Sequence, residues 1–481
     1  MLTVDEIKQF IDEDARLPLK KHAREGQRYY EGMHDILNYR MFYYNADGML
    51  VEDKYRSNSR IPHPFFTELV DQAAQYVLSG KDGIVMSDDT ELQAELDKYF
   101  NKNKRFMVEL AETVTGMQAK GFDYMYAYKK NDTLTFENAD CLGVVEVEGR
   151  FADDGKDQRI YRYLDIIDKD QRKQWKILVI DDENTYYYKQ EENGDIVKDD
   201  DVKQNPRPHA LYEKDGELYK KDFGFLPFFR LDNNKKRKSL LPAVKALIDD
   251  YDLMASSLSN NLVDFDTPIH VVSGFQGDNL DELQTNLKTK KMIGVDEGGG
   301  LEVKTVDVPY QARKEKLELD EKNIYRFGMG LNMFGLKDTT ATTNIAIKAM
   351  YSLLDLRASK MIDQLEVFLE EVVKVVLAEI NAKNGTDFQM SQVYFNFEPE
   401  IMSNAQENAT IALTEAQEQQ ARINTLLALN AQLGNELVVQ QICDVLDLEY
   451  EQIKNMLPDP DEAQHSLNDA FTALNGGDVV E

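Results

Sequence analysis

From Asn344 to Lys383 the sequence runs for forty residues without a glycine or a proline. Nothing in that stretch breaks a helix, and at about 1.5 Å per residue a single helix of this length would span about 60 Å. The average globular helix has only about 11–12 residues. The stretch therefore predicts a spine, straight or kinked, on which other elements hang. A polar loop, GLKDTTATTN, leads into it, and a short strand, VYFNFEP, follows.

The flanking segments read in two periods. Val4 to Ile36 has helical spacing (Ile7, Phe10, Ile11, then Leu17 and Leu19 around Pro18), with a break near Asp47-Gly48. Pro62 and Pro64 forbid regular structure. After them Phe65, Leu69, Ala73, Tyr76 and Val77 trace one helical face that ends at Gly80. Two further helices are expected over Asp89–Phe100 and Phe106–Lys120. From about Gly121 to Leu231 the period becomes two: YMYAYKK, TLTFENA, GVVEVEG, RIYRYLDII, QWKILVI, NTYYYKQ and DIVKD predict an antiparallel β region. Its acidic clusters, such as Asp199-Asp200-Asp201, lack calcium-loop spacing and read as solvated turns.

Helix returns at Leu241, with Pro242 suited to a first turn and a stripe of Val244, Leu247, Ile248, Tyr251, Met254, Leu258 and Leu262. Ile269–Pro309 reads as a small α/β insert: a strand, a short helix over DNLDELQTNLKT, then a hairpin turning at Gly298-Gly299-Gly300. A second helix, Tyr310–Gly328, follows. Two helices bracketing a tip suggest a stalk with a head. Beyond residue 400 the chain is helical again, Gln- and Ala-rich from Ala405 to Leu433, with a frayed tail after Pro460. The fold class expected is α+β.

Composition narrows function by exclusion. No apolar run approaches the ~20 residues needed to cross a bilayer, and MLTVDEIKQF has no apolar segment of a secretory signal. Cys141 and Cys443 are the only cysteines, which fits a reducing cytoplasm without requiring one. Asp and Glu number 87 against 56 Lys and Arg, a formal net of −31. Such acidity argues against a protein that grips phosphates. It either keeps an assembly soluble or forms a wall along which DNA slides. The Gly cluster lacks the Lys-Ser/Thr of a phosphate cradle, no two of the six histidines lie within a metal-binding spacing, and neither cysteine has a CxxC partner. No local motif points to a cofactor, a metal or an enzyme.

Several segments nevertheless carry a pattern. RYYEGMHDIL, RSNSRIPHPFFTELVDQAAQYVLSG, FGFLPFFRLDNN with SLLPAVKALIDDYDLMASSLSNNLVDF, and GLNMFGLKDTTATTNIAIKAMYSLLD occur in order over residues 25 to 400. Together they resemble the portal proteins of tailed phages, in particular the family typified by long-tailed phages of Gram-positive bacteria. Where that family often has Ser-Gly before the long helix, this chain has Thr342-Thr343-Asn344.

The resemblance implies a subunit of a ring, usually of twelve, at one capsid vertex. Residues 1–240 would form a wing, 241–266 and 310–330 a stem, and 267–309 a clip. A tunnel loop would occupy 331–344, a long spine helix returning to the wing 345–399, and a crown with the C-terminal tail 400–481. It implies as partners further copies of the chain, duplex DNA passing without sequence specificity, a terminase motor, a head-to-tail adaptor, and capsid and scaffolding proteins, with no membrane. The channel candidates are Lys337, Asp338, Thr339, Thr340, Ala341, Thr342, Thr343 and Asn344 of the loop, with Arg313, Lys314 and Lys316 of the second stem helix. Lys288, Lys290 and Lys291 are candidates for partner binding at the clip. Against each stands the plainer reading of a solvated basic side chain. The rival function is a helix-rich oligomeric scaffold or adaptor that never encloses DNA.

Overall fold

Thr3 starts the first helix by a reciprocal cap: its hydroxyl accepts from Glu6 N at 3.3 Å while the Glu6 carboxylate accepts from Thr3 N at 2.7 Å. In this computed structural model the described residues are 2–54, 56–80, 83–130, 133–151, 155–166, 173–214, 217–265, 269–275, 295–304, 309–332, 344–399, 405–429 and 435–445. Helix α1 (Val4–Arg16) stops at Leu17, and Pro18 opens α2 (Pro18–Tyr30), because the ring at the first helical position costs no hydrogen bond. The Asp47-Gly48 break is the turn of a hairpin, β1 (Phe42–Tyr44) with β2 (Leu50–Glu52). Then come α3 (Phe65–Val77), β3 (Val85–Met86), α4 (Thr90–Tyr99) and α5 (Lys104–Lys120), the last two capped by Asp89 and Asn103.

The β region is antiparallel, as its alternation predicts. Strands β4 (Phe122–Lys130), β5 (Thr133–Ala139), β6 (Val144–Val147), β7 (Gln158–Ile166), β8 (Lys173–Ile180), β9 (Asn184–Gln190), β10 (Ile196–Lys198), β11 (Arg207–Pro208), β12 (Ala210–Lys214), β13 (Glu217–Lys221) and β14 (Phe228–Asp232) follow one another. They pair as a sheet of order β10-β9-β8-β7-β6 with β11 on β9, a sheet β14-β4-β5, and a hairpin β12-β13. Leu2 and Ile7 pack on Val145, Ile160, Ile177 and Val179, so α1 covers one face of the larger sheet.

Helix α6 (Leu241–Phe265), strands β15 (Ile269–Phe275) and β16 (Val295–Lys304), α7 (Tyr310–Phe327), α8 (Asn344–Asn384), β17 (Tyr394–Phe395), α9 (Ala405–Ala428) and α10 (Asn435–Val445) complete the order. One correction concerns the glycines. Gly298-Gly299-Gly300 is not a hairpin turn: β16 runs through it and pairs with β15, Gly300 opposite Ser273. The register shifts between Ser273 and Phe275, and Gly298 takes φ +85°, a bulge conformation that glycine adopts without strain. The short helix read over DNLDELQTNLKT lies outside the described residues.

Contacts divide the chain into two units. In the first, Met1–Thr339 with Ala349–Ile401, α2, α3, α5, α6 and α7 share a core of Tyr29, Phe66, Leu69, Val70, Ala119, Leu241, Val244, Ile248, Ile324 and Tyr325. Each large side chain there contributes about 1.5–3 kcal/mol by leaving water. Helix α8 is pinned to this body by Glu379, which accepts from Tyr99 Oη at 2.8 Å and Leu134 N at 3.0 Å. The second unit, Thr340–Lys348 with Met402–Glu481, contains α9 and α10. Mixed helix and antiparallel sheet makes the fold α+β. No helix among the described residues is long and apolar enough to cross a membrane.

Candidate functional site

From Asp252 onward the buried residues of α6 are polar. Asp252, Ser256 and Asn260 are enclosed, while Met254 and Leu258 are only half-buried and Leu262 is exposed. The reason is an irregular segment, Ser57–His63, laid along the helix. His63 N donates to Asp252 Oδ1 at 2.8 Å, Ile61 N to Ser256 Oγ at 3.1 Å, Ser59 N to Asn260 Oδ1 at 2.6 Å, and Ser57 N to Asp264 Oδ1 at 3.1 Å. Every second N–H of the segment meets every fourth side chain of the helix. The match is geometric: two residues of extended chain advance about 6.6 Å and four helical residues about 6 Å. Pro62 falls on the off-beat, where no N–H is needed. On the far side Arg60 donates to Leu37 O at 2.8 Å and Asn58 to Tyr39 O at 3.3 Å, so this strap is held on both flanks.

The strap ends in a buried cluster. Asp252 Oδ2 lies 2.7 Å from His34 Nδ1 and Asp252 Oδ1 lies 2.8 Å from His63 Nδ1. His34 stacks on Tyr29 with centroids 4.6 Å apart, and His63 meets Tyr251 edge-on at 4.8 Å. Tyr29 Oη donates to Asp249, and Lys245 bridges Asp35 at 2.6 Å and Asp249 at 2.7 Å. Burial alone would raise the Asp252 carboxyl, yet hydrogen bonds from the two histidines hold it below the ordinary carboxylate value. Burial also opposes ionisation of Asp35, but Lys245 and Arg28 carry it down to about 2. Three separated segments, RYYEGMHDIL, RIPHPFF and the middle of α6, thus converge on one carboxylate.

A second junction centres on Arg357 of α8, which is 5% exposed. Its Nη1 donates to Leu69 O at 2.8 Å and Gly328 O at 3.2 Å, and its Nη2 to Gln118 Oε1 at 2.6 Å. Burial pulls the guanidinium down to about 9, so it is charged at neutral pH. Its contacts here are carbonyl oxygens, one of them on the residue that caps α7, where the helix dipole is negative. One side chain therefore ties α3, α5, α7 and α8.

The basic residues expected to be functional are dispersed. Lys316 is tied between two helices, to Asp250 of α6 and Asp320 of α7. Lys314 lies 3.7 Å from Glu318 one turn on, both exposed. Arg313 is half-buried, with Nη1 enclosed and lacking an acceptor among the described residues. Asn344 opens α8, whereas Lys337 to Thr343 and Lys288, Lys290 and Lys291 lie outside the described residues. Among the described residues, Asp123, Asp140 and Cys141 bring three potential ligand atoms together. The Lys120 ammonium sits there, 2.9 Å from Asp123 and 2.8 Å from Asp140, supplying the positive charge itself.

The sequence reading missed the strap, the cluster and Arg357. The one available signal was the four-residue spacing of Asp252, Ser256, Asn260 and Asp264, all short acceptors, opposite a segment rich in serine and proline.

Known proteins match over the same elements. The family described as phage portal protein, SPP1 Gp6-like, matches residues 11–456. The portal protein of Bacillus phage SPP1 is 28% identical over 362 residues, 73% of this chain and 68% of that one. The portal protein of Clostridium phage phiCD119 is 24% identical over 437 residues, 85% of this chain and 89% of its own. The match takes in the strap, the buried cluster, α6, α7 and α8, and by it the chain belongs to the SPP1 Gp6-like family of phage portal proteins, structural proteins of the tailed-phage virion.

Proposed function

We propose that the chain is one subunit of a ring, of about twelve copies, that conducts duplex DNA into and out of the capsid at a single vertex. The observation that carries the reading is the family match across residues 11–456. On this reading α6 and α7 are the stem, the region of β15 and β16 the clip, residues before 241 the wing, and residues after 400 the crown. Leu336–Asn344 faces the DNA, and Lys288, Lys290 and Lys291 meet a terminase motor or a head-to-tail adaptor. Capsid and scaffolding proteins hold the ring, which assembles in the host cytoplasm.

The physics of such a conduit needs no reaction. Twelve copies at −31 carry a formal −372. A wall of that sign disfavours tight phosphate contacts and gives a moving duplex low friction. The double tether of α6, to the strap on one side and to α7 through Lys316, supports a stem that holds its shape under load. Hydrolysis of ATP then belongs to the separate motor.

The test is electron microscopy of the purified protein in negative stain with mass measured in parallel. Rings of about twelve or thirteen copies with a hole of about 20–30 Å, on the scale set by duplex DNA, are expected. Closed dimers or tetramers without a hole would replace this reading with the adaptor one. Deletion of Lys337–Thr343 should leave rings intact and impair packaging, and normal DNA filling would remove the loop from the channel.

A further inference from the structure

The hairpin β1–β2, which leads directly into the strap, carries its apolar side chains outward. Phe42, Tyr43, Tyr44, Met49, Leu50 and Val51 are all exposed, Tyr44 by 73% and Leu50 by 59%. Neither strand buries a residue. A two-stranded hairpin by itself is marginal in water, and this one leaves open the surface that would stabilise it. The pairing register puts Phe42, Tyr44 and Leu50 on one face and Tyr43 and Val51 on the other. With about 150–250 Å² for each aromatic side chain, the first face leaves roughly 350 Å² uncovered. That lies within the range of the largest apolar patch on a typical monomer, about 300–600 Å². It supplies close to half of the ~800 Å² that each partner contributes to a standard interface.

Charge indicates what covers it. Residues 39–56 contain Arg40, Lys54 and Arg56 against Asp47, Glu52 and Asp53, three of each sign and a net of zero, in a chain of net −31. The charges also pair locally: Arg40 lies 3.7 Å from Glu52 and Arg56 3.8 Å from Asp53. Two copies of the chain repel each other through their acidity, and a contact between them is best made where charge is absent and apolar surface is present. The hairpin combines both properties.

We infer that the β1–β2 hairpin is an arm that docks on the neighbouring copy of this chain, its apolar face forming part of the contact between subunits. The inference rests on the ring reading above and names the segment that makes its contact. In a closed ring of more than two copies the contact is head-to-tail, so each hairpin meets a different surface on the next subunit. Because the arm continues into the strap, docking would fix the strap, and with it α6, relative to the adjacent subunit.

The experiment uses the full chain and the double variant Tyr44→Asp/Leu50→Lys, opposite charges at directly paired positions, with sedimentation velocity across a concentration series and a thermal melt of each. The substituted side chains are exposed, so the melting temperature of the subunit should be unchanged. Ring formation should need at least about tenfold more protein, a loss of about 1.4 kcal/mol per contact, or vanish. Rings from the variant at the wild-type concentration would overturn the arm and leave the ring reading standing. A wild-type chain that yields no rings would overturn the ring reading and the arm with it. If the variant misfolds, a photo-crosslinking residue at position 44 of purified wild-type rings decides. Copy-to-copy adducts support the arm, and adducts within one chain only overturn it.

Discussion

His34 Nδ1 and Asp252 Oδ2 meet at 2.7 Å across 218 residues of chain, and neither side chain is exposed. The contact joins the loop after α2 to the middle of α6, and through His63 it also joins the end of the strap. A buried carboxylate with this many donors is stable only while they are present.

Replacing Asp252 by alanine removes the acceptor for two imidazoles and for His63 N at once. We expect a loss of about 3–5 kcal/mol, the usual effect of breaking a buried pair, read as a lower urea midpoint. Asp252→Asn keeps the shape and one acceptor oxygen and should lose less. Equal stability of Asp252→Ala and wild type would show the cluster to be dispensable.

Acid should reveal Asp35. Its folded value, about 2, lies below the ordinary 3.8. The sign follows: folding favours the ionised form, so the stabilisation is complete above about pH 4 and is lost as pH falls towards 2. The side chain is about half exposed, so solvent screening keeps its contribution under about 1 kcal/mol. Asp35→Asn should flatten the pH dependence of the melting temperature between pH 4 and 2, and an unchanged slope would assign it to other carboxylates.

Amide exchange reports on the strap residue by residue. Asn260→Ala leaves Ser59 N without its acceptor and Ser256→Ala does the same to Ile61 N. Each should cost about 1–3 kcal/mol, with faster exchange at the orphaned amide first. Exchange that speeds up uniformly across all of α6 instead would mean that the strap and helix open together.

Arg357→Met should cost about 3 kcal/mol despite the similar stem length, because it takes the donor from the oxygens of Gly328 and Gln118 and a second donor from Leu69. Arg357→Lys should recover only part, since one ammonium cannot reproduce the planar fork. Calorimetry separates the three proteins, and full rescue by lysine would mean that charge alone is needed.

How much of this was legible in the sequence depends on the kind of contact. Helix α8 is announced by the absence of breakers, α3 by the face from Phe65 to Val77, and the sheets by alternation, because each is a local pattern of burial. The strap is not local. Asp252, Ser256 and Asn260 resemble a solvent face until a chain with free N–H groups is laid on them. Arg357 in LDLRASK looks like any surface arginine, and only the three elements packed around it show that it is a core residue. The glycines of β16 misled for the opposite reason: a glycine cluster suits a turn, and it also suits a bulge in a continuous strand. The loop and clip lysines were read from family resemblance alone and enter the functional reading as proposals.

The strap and α6 mesh like a rack and a gear, tooth spacing matched on both sides. A slip of one residue sets carbonyls, and at one position a proline, where donors must be, so intermediate positions are closed. The strap can travel only by two of its own residues against four of the helix, about 6 Å at a time. Any movement of α6 past the strap must therefore click from one notch to the next rather than creep, and between clicks the joint is rigid.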